Sequence, residues 1–424
     1  MSGTSLRVCI SGTGFAGDFT ARALGEVPHR NGVRIALEGV TSGHLGNAER
    51  FAERHGVARA FQDHRDMLES VQPHILCIAC ANHAHARHAI DAARAGVPVI
   101  VLEKPPLIWP GHAEGREADA ATRKAESMDA MHAVLEAVEE NGSRLLYAEN
   151  FVYLDGVRAF TQLLRAALAQ GKGSVLLQQG VCAHQGSHAP AYDTPAKSGG
   201  GALFNKACHP LGAALYLKQA EGILKGTGPV RPVEVAALAL QVLKDQPEAT
   251  TEHFRAMRQV DDFGRLTVRF EDGTVADIVG HDLNIGGIHN AFSVIADFGQ
   301  YTLRVNPNDE HELFLPDGRV IGDLLLREKL PTPQGTSFPR PRQLHAHGYV
   351  NEMDDAVACA LDPRRAPQSG GMLAWDTLAV LMAGYESSAA GGGFVDIAEY
   401  TLGREFPEAH FPRPELLGDL FTAG

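Results

Sequence analysis

The chain has 424 residues, 44% of them apolar and 21% charged, with 38 Lys and Arg against 51 Asp and Glu for a formal net charge of −13. That balance excludes the basic face a nucleic-acid partner would need, and no apolar run approaches the roughly 20 residues of a membrane-spanning helix. The length predicts two domains or three, and six Cys spread over it do not make a disulfide framework.

The first part alternates strand and helix signals. Leu6–Ser11 is a short apolar run, followed by a glycine-rich turn and a helical stretch over Phe15–Leu24. Val33–Thr41 reads as strand, Ala48–His55 as helix, Phe61 as the start of a short strand, and Met67–Val71 as helix. Ile75–Ala79 is strand, His83–Ala95 an Ala-rich helix, and Val97–Leu102 strand again. Such alternation implies right-handed crossovers and a parallel, doubly wound sheet. Residues 107–127 are polar and read as a long loop before a helix over Met128–Asn141. Cys9, Cys77 and Cys80 lie in the strand-like runs, where free buried thiols are expected, so the compartment is read as reducing and cytoplasmic. The CxxC of Cys77 and Cys80 is poorly placed for a redox pair, because residues three apart on a strand face opposite ways. The N-terminus shows no charged-then-apolar secretory pattern.

Beyond about residue 150 the pattern becomes alternating segments: Ser174–Val181, Val233–Leu243, Arg265–Phe270, Thr274–Val279 and Phe292–Phe298, broken by turns such as Glu271-Asp272-Gly273. Helices are predicted near His209–Leu217, Tyr349–Leu361 and Ala374–Ala389. The expected fold class is therefore α/β: a Rossmann doubly wound parallel sheet over 1–148, then an α+β domain over 149–424 with a large, mostly antiparallel open sheet.

Gly12-Thr13-Gly14-Phe15-Ala16-Gly17 is GxGxxG between a strand and a helix. Glycines there allow a tight turn and close backbone approach to a pyrophosphate, which the helix N-terminus stabilises. The carboxylate that would take a ribose hydroxyl at the end of the second strand is missing. The strand runs out in Thr41-Ser42-Gly43-His44, and Glu38 lies within it. Ser42 and His44 leave room for a 2′-phosphate, so both NAD and NADP stay open.

The strand over Val97–Leu102 ends in Glu103-Lys104-Pro105-Pro106, and Ala81-Asn82-His83-Ala84-His85 follows the strand before it. Together with the glycine turn, these stretches resemble the Gfo/Idh/MocA oxidoreductases, whose pattern is TPNxxH followed by AGKHVxxEKP. The resemblance implies that Lys104 lies beside nicotinamide and substrate hydroxyl, ahead of a proline commonly in a cis peptide. Asn82 and His85 take nicotinamide-side positions, and Glu103 positions the turn. An ammonium at the reacting carbinol orients the oxygen and stabilises alkoxide charge, and it relays a proton if burial lowers its pKa. A metal cluster of His83, His85 and His88 is the competing reading, although a helix start explains their spacing equally well.

The family's second signature is GGGxLxDxGxHxxD. The corresponding stretch runs Gly199-Gly200-Gly201-Ala202-Leu203-Phe204-Asn205-Lys206-Ala207-Cys208-His209-Pro210-Leu211-Gly212. His209 falls on the family histidine, but the two aspartates are Asn205 and Gly212, and Lys206 is a new cation. Since Asn is no base, the resemblance leaves acid–base work to His209 with Lys104 or Lys206, unless Lys206 faces solvent and activity is lost.

Other polar residues fall where the family binds substrate: Glu149, Asn150 and Tyr153 at the link between domains, and His184 and His188 after the first long strand. Asn205 and His209 complete that set. Hydroxyl-rich ligands need such paired donors and acceptors. A zinc site from His184, His188 and His209 is a competing idea, lacking adjacent acids. Gly286–Asn290 and His345–Tyr349 are further candidates for substrate contact. The sequence thus predicts an NAD(P)-dependent oxidoreductase acting on a secondary hydroxyl of a sugar, polyol or glycoside, with no metal. It would form a homo-dimer or homo-tetramer through the open sheet. A cofactor-retaining glycosidase and a silent cofactor-binding homologue remain as alternatives.

Overall fold

The structure, a computed structural model, describes residues 5–28, 32–186, 190–246, 259–306, 310–321, 335–337 and 348–417. Its first sheet contains β1 (Ser5–Ser11), β2 (Arg34–Thr41), β3 (Ala60–Phe61), β4 (Ile75–Ile78), β5 (Val99–Glu103) and β6 (Arg144–Ala148). All neighbours are parallel, in the order β3-β2-β1-β4-β5-β6. Helices α1 (Phe15–Glu26), α2 (Leu45–His55), α3 (His64–Val71), α4 (His85–Arg94) and α5 (Ala120–Glu140) make the crossovers. Covered on both faces, β4 and β6 are buried along their whole length, as parallel strands require. The strand order reverses between β1 and β4, and the crevice at such a switch point is where open α/β sheets take ligands.

Two expectations fail here. The stretch predicted as loop up to residue 127 is helical from Ala120, because Asp119 caps the helix through an Oδ1 that accepts the Thr122 N–H at 2.7 Å. The sixth strand, β6, was unanticipated: its five residues are too few to show a period.

The second sheet follows α6 (Asp155–Leu168). It contains β7 (Val175–Gln185), β8 (Pro232–Leu240), β9 (Phe263–Phe270), β10 (Val275–His281), β11 (Leu283–Ala296), β12 (Gly299–Asn306), β13 (Glu310–Leu315), β14 (Gly335–Ser337) and β15 (Val395–Asp396). The order is β14-β13-β12-β11-β7-β10-β9-β8-β15, antiparallel throughout except for the parallel pair β7 and β10. Alternation made β7 to β10 and the second half of β11 legible, while β12 to β15 were not anticipated. On β9, Leu266, Val268 and Phe270 are buried while Arg265 and Arg269 face water.

Three helices, α7 (Pro195–Ser198), α8 (Ala202–Asn205) and α9 (Cys208–Lys225), lie between β7 and β8 in the chain. The inner face of the sheet carries α9 so closely that a Cβ on Gly180 of β7 would lie 2.4 Å from Pro210 Cβ. The last two long helices, α10 (Tyr349–Leu361) and α11 (Gly371–Ala389), return to the first sheet. Tyr349 packs tilted against Phe19 of α1 with ring centroids 4.4 Å apart, α11 packs on α5, and one continuous apolar core joins both halves.

Candidate active site

The crevice floor is the turn after β1. Gly12 has φ +116°, and a Cβ there would lie 2.3 Å from the Ala79 carbonyl oxygen at the end of β4. A Cβ on Gly17 would meet the Gly12 oxygen at the same distance. These two glycines let β1, β4 and α1 close up. Gly14 is different: nothing lies within 4 Å of where its Cβ would be. Its open surroundings at the first turn of α1 fit a pyrophosphate, and Ala16 lies in that same turn. Phe15 is 79% exposed, 5.3 Å from the Phe19 ring. Ser42 and His44 follow β2. Ser42 donates its N–H to Phe61 O at 3.3 Å, and His44 is exposed at the start of α2, where its side chain makes no cap.

The next wall is the turn after β5. The Lys104–Pro105 peptide is cis. His85, expected on the nicotinamide side, braces this turn. It is fully buried, with Nδ1 3.2 Å from the Pro105 and Pro106 carbonyl oxygens and Nε2 3.2 Å from Cys80 O. Burial holds its pKa down at about 4, so the ring is neutral and ties the two strand ends together. The three histidines do not cluster. Across the sheet, His88 Nδ1 meets Ser11 Oγ at 2.7 Å, and its ring stacks on His64 at 3.7 Å. Asn82 reaches into the second domain, its Nδ2 donating to Ser198 O at 3.1 Å.

Lys104 Nζ lies 3.5 Å from Asn205 O. Burial pulls its ammonium down, but Cys208, then Glu103 and Glu149, push it up by more in their ionised forms. It therefore remains a cation and a donor, and the condition set for a proton relay, a pKa lowered by burial, is not met. Glu103 beside it is pushed up to about 7 by burial, against the pull of Lys104.

From the second domain comes the turn Gly199-Gly200-Gly201. Added Cβ atoms would lie 2.3 Å from Ile108 Cγ2, 2.2 Å from Tyr385 OH and 1.8 Å from Asp261 O respectively. Asp261 holds α8 by accepting the N–H groups of Gly201 at 3.0 Å and Leu203 at 2.7 Å. Asn205, expected to contact substrate, is 1% exposed, and its Nδ2 donates to Gly200 O at 2.6 Å. What it presents is its backbone oxygen, which accepts from Lys104 Nζ and, at 3.4 Å, from Tyr192 OH. Lys206 does not face solvent. Its Nζ is 3.5 Å from Tyr192 OH and 3.7 Å from Asp282 Oδ1, and burial lowers its pKa against the pull of Asp282. Tyr192 and Asp282 carried no sequence signal, because neither belongs to a motif.

His209 opens α9, its ring 5.2 Å from and nearly parallel to Phe151. Burial, then the ammonium groups of Lys104 and Lys206, hold its pKa well below the usual range. Its Nδ1 lies 2.8 Å from Oε1 of Glu149, which is fully buried. Glu149 was expected to bind substrate; instead it partners His209. Tyr153, also expected to bind substrate, has partners within the protein. It is 2% exposed, donates its OH to Asp355 Oδ2 at 3.0 Å and accepts from Ser369 N at 3.2 Å, tying the link to α10 and the segment beyond it. Asn150 is buried in the same link.

His184, half-buried on β7, lies with Nε2 3.7 Å from Cys182 Sγ. Burial pushes the Cys182 thiol up, and the ammonium groups of Lys206 and Lys104 pull it down. His188 and residues 345–347 are outside the described residues. His289 is exposed, and Asn290 Oδ1 accepts from Ala183 N at 3.3 Å within the β7–β11 pairing. The six cysteines are free.

A glycine turn at a parallel switch point, with a cation after β5 and a carboxylate after β6 that pairs with a histidine at the start of α9, defines a protein built on a dinucleotide-binding crevice. Residues 6–135 match the Gfo/Idh/MocA family, described as an oxidoreductase family with an NAD-binding Rossmann fold. The sequence is 32% identical over 124 residues to the D-glucoside 3-dehydrogenase of Escherichia coli K12, a match covering 29% of this chain and 33% of that protein. The fold extends further. The NADH complex of levoglucosan dehydrogenase superposes with a TM-score of 0.68 at 19% identity, over 93% of this chain and 99% of that one. The NAD complex of GenD2 from gentamicin A biosynthesis gives 0.63 at 22% identity, over 93% and 97%.

Proposed function

We propose that the protein is an NAD(P)-dependent oxidoreductase acting on a secondary hydroxyl or keto group of a sugar, polyol or glycoside. The observation that carries this reading is the electrostatic meeting of Lys104, after β5 of the parallel sheet, with His209 at the start of α9, in a chain whose β1 ends in the Gly12–Gly17 turn. The turn at Gly12, Gly14, Phe15, Ala16 and Gly17 would hold the pyrophosphate, and Ser42 and His44 the adenosine ribose. The bound nicotinamide supplies or accepts the hydride. The Lys104 ammonium donates to the reacting oxygen and stabilises its developing negative charge, while His209 holds or releases the hydroxyl proton. The polar lining at His184, Tyr192 and Lys206 supports a ligand with several hydroxyl groups. The saccharide chemistry of D-glucoside 3-dehydrogenase and levoglucosan dehydrogenase points the same way.

We assign nucleotide binding to residues 1–148 and substrate binding to 149–424. The exposed sheet face, with Leu238 and Phe314 among its exposed side chains, supports association of like subunits. Among the described residues no helix is long and apolar enough to cross a membrane, and the free cysteines fit a cytoplasmic site. The test is incubation with a panel of sugars, polyols and glycosides and either NAD or NADP, following cofactor absorbance and glycosidic cleavage together. Net cofactor reduction supports the proposal. Cleavage without it would indicate a cofactor-retaining glycosidase, and silence across the panel would sink both.

A further inference from the structure

Glu149 is an unusual acid. It stands at the end of β6 with no exposed surface, its Oε1 on His209 Nδ1 at 2.8 Å and on the Phe151 N–H at 3.2 Å. Its Oε2 has no hydrogen-bond partner among the described residues. The space it occupies exists only because residue 212, in the interior of α9, is glycine. A Cβ there would lie 2.4 Å from Glu149 Cγ. Glycine inside a helix costs about 1 kcal/mol relative to alanine, and here the close approach of an acid to a histidine accounts for it.

We propose that Glu149 is the positioning residue of His209, a carboxyl group reaching across from β6 into the space left by Gly212 that decides which imidazole nitrogen carries the proton. This rests on the oxidoreductase reading for its consequence, not for its geometry. With the carboxylate ionised, Nδ1–H donates to Oε1 and the Nε2 lone pair is free. In oxidation the substrate O–H bond then breaks, its proton bonds to Nε2, and the Nδ1 proton passes to Glu149 as hydride is exchanged with the cofactor. With the carboxyl protonated, it donates to Nδ1, and Nε2–H supplies the proton for reduction. The pair gains one proton in the first direction and loses one in the second, so charge balances.

Burial pushes the Glu149 carboxyl up to about 8, opposed by the Phe151 N–H and the Lys104 ammonium. A carboxyl that is protonated at neutral pH also explains an Oε2 left without a donor. The other groups facing it are Glu103 on β5, Tyr147 on β6, Cys182 on β7, Cys208 on α9, and Tyr349 and Glu352 on α10. Lys206 faces His209. Donor atoms of Glu149, Cys208 and His209 all lie within 4.8 Å of one another and could hold a metal. The nearby Lys104 and Lys206 ammonium groups oppose a dication, and burial keeps the Cys208 thiol protonated.

The decisive experiment needs no substrate. In protein labelled with nitrogen-15 at histidine, the His209 signals are identified by their loss in His209→Asn and followed from pH 6 to pH 10. The proposal expects the proton to move from Nε2 to Nδ1 near pH 8, and expects that change to vanish in Glu149→Gln. Where activity is found, Glu149→Gln should lower kcat at least tenfold with KM within twofold, and abolish the rise of oxidation through pH 8. In a His209→Asn background it should cost nothing more. Unchanged tautomer behaviour in Glu149→Gln overturns the proposal, as does stoichiometric metal retained after chelation. If the variant fails to fold, a wild-type His209 that shows no tautomer change between pH 6 and pH 10 overturns it as well. Failure to find a sugar substrate would count against the oxidoreductase reading alone.

Discussion

Two of the glycine-rich turns, at Gly12–Gly17 and at Gly199–Gly201, use their glycines differently. In the Gly12–Gly17 turn two glycines pack against backbone and the middle one, Gly14, opens onto empty space. In the Gly199–Gly201 turn all three are enclosed, by Ile108, Tyr385 and Asp261. The first is shaped to admit a ligand; the second is shaped to admit its own protein. A glycine run therefore marks close approach, and only the surroundings say whether a ligand or another chain segment approaches.

Lys104 lies between the two turns and gives the largest expected effect. Lys104→Met should lower kcat by about 10²–10⁴-fold, the span attributed to acid–base and electrostatic groups, with nucleotide affinity held within a few-fold. Steady-state kinetics with a nucleotide titration checks both halves, and loss of nucleotide binding instead would break the division between the turns.

Substituting the glycines tests the comparison directly. Gly201→Ala places a Cβ against the Asp261 backbone, which cannot rotate away, so roughly 3 kcal/mol of stability should be lost. Gly14→Val should leave stability within about 1 kcal/mol and weaken nucleotide binding at least tenfold. Denaturant melts beside NAD titrations would separate the two. Equal stability losses would show that both turns are structural.

A pH experiment sharpens the first turn's neighbourhood. His85 is held neutral down to about 4 by burial, whereas in the unfolded chain it takes up a proton near its ordinary 6.5. The unfolded state therefore binds more protons between these values. Stability should fall as pH drops from about 6.5 to about 4, by up to roughly 3 kcal/mol from this residue, and level below that. His85→Asn should flatten the slope in thermal melts. A slope equal to wild type would remove His85 as the brace.

The smallest effect expected is at the second turn. Asn205→Asp would set a carboxylate against Gly200 O, where Nδ2 now donates at 2.6 Å, costing about 1–3 kcal/mol. A gain in stability would mean that the turn accepts an acid, and that the amide is incidental.

Legibility in the sequence followed distance along the chain. The glycine cradle, the Lys104 turn and the alternating strands are local patterns, so each could be named from a few consecutive residues. Asp119 as a helix cap was equally local yet was passed over, because the surrounding residues are polar. The partners of Glu149, Tyr153, Asn205 and His85 were not legible for a different reason. Each was assigned by position within a motif, but each spends its polar atoms on a partner far away: His209, Asp355, the Gly200 carbonyl or the Pro105–Pro106 carbonyls. Gly212 offered the one early sign, a glycine inside a helix without a turn to explain it.

By itself, the sequence determined a parallel nucleotide domain, an antiparallel partner and the lysine that stands between them. Backbone periodicity and turn chemistry act over a few residues and leave their mark there. Only the tertiary structure decided which acid serves His209. That choice depended on the end of β6, the start of α9 and a missing side chain at Gly212 meeting in one buried volume. Burial at that meeting point also sets the protonation of both groups, and no local pattern records it.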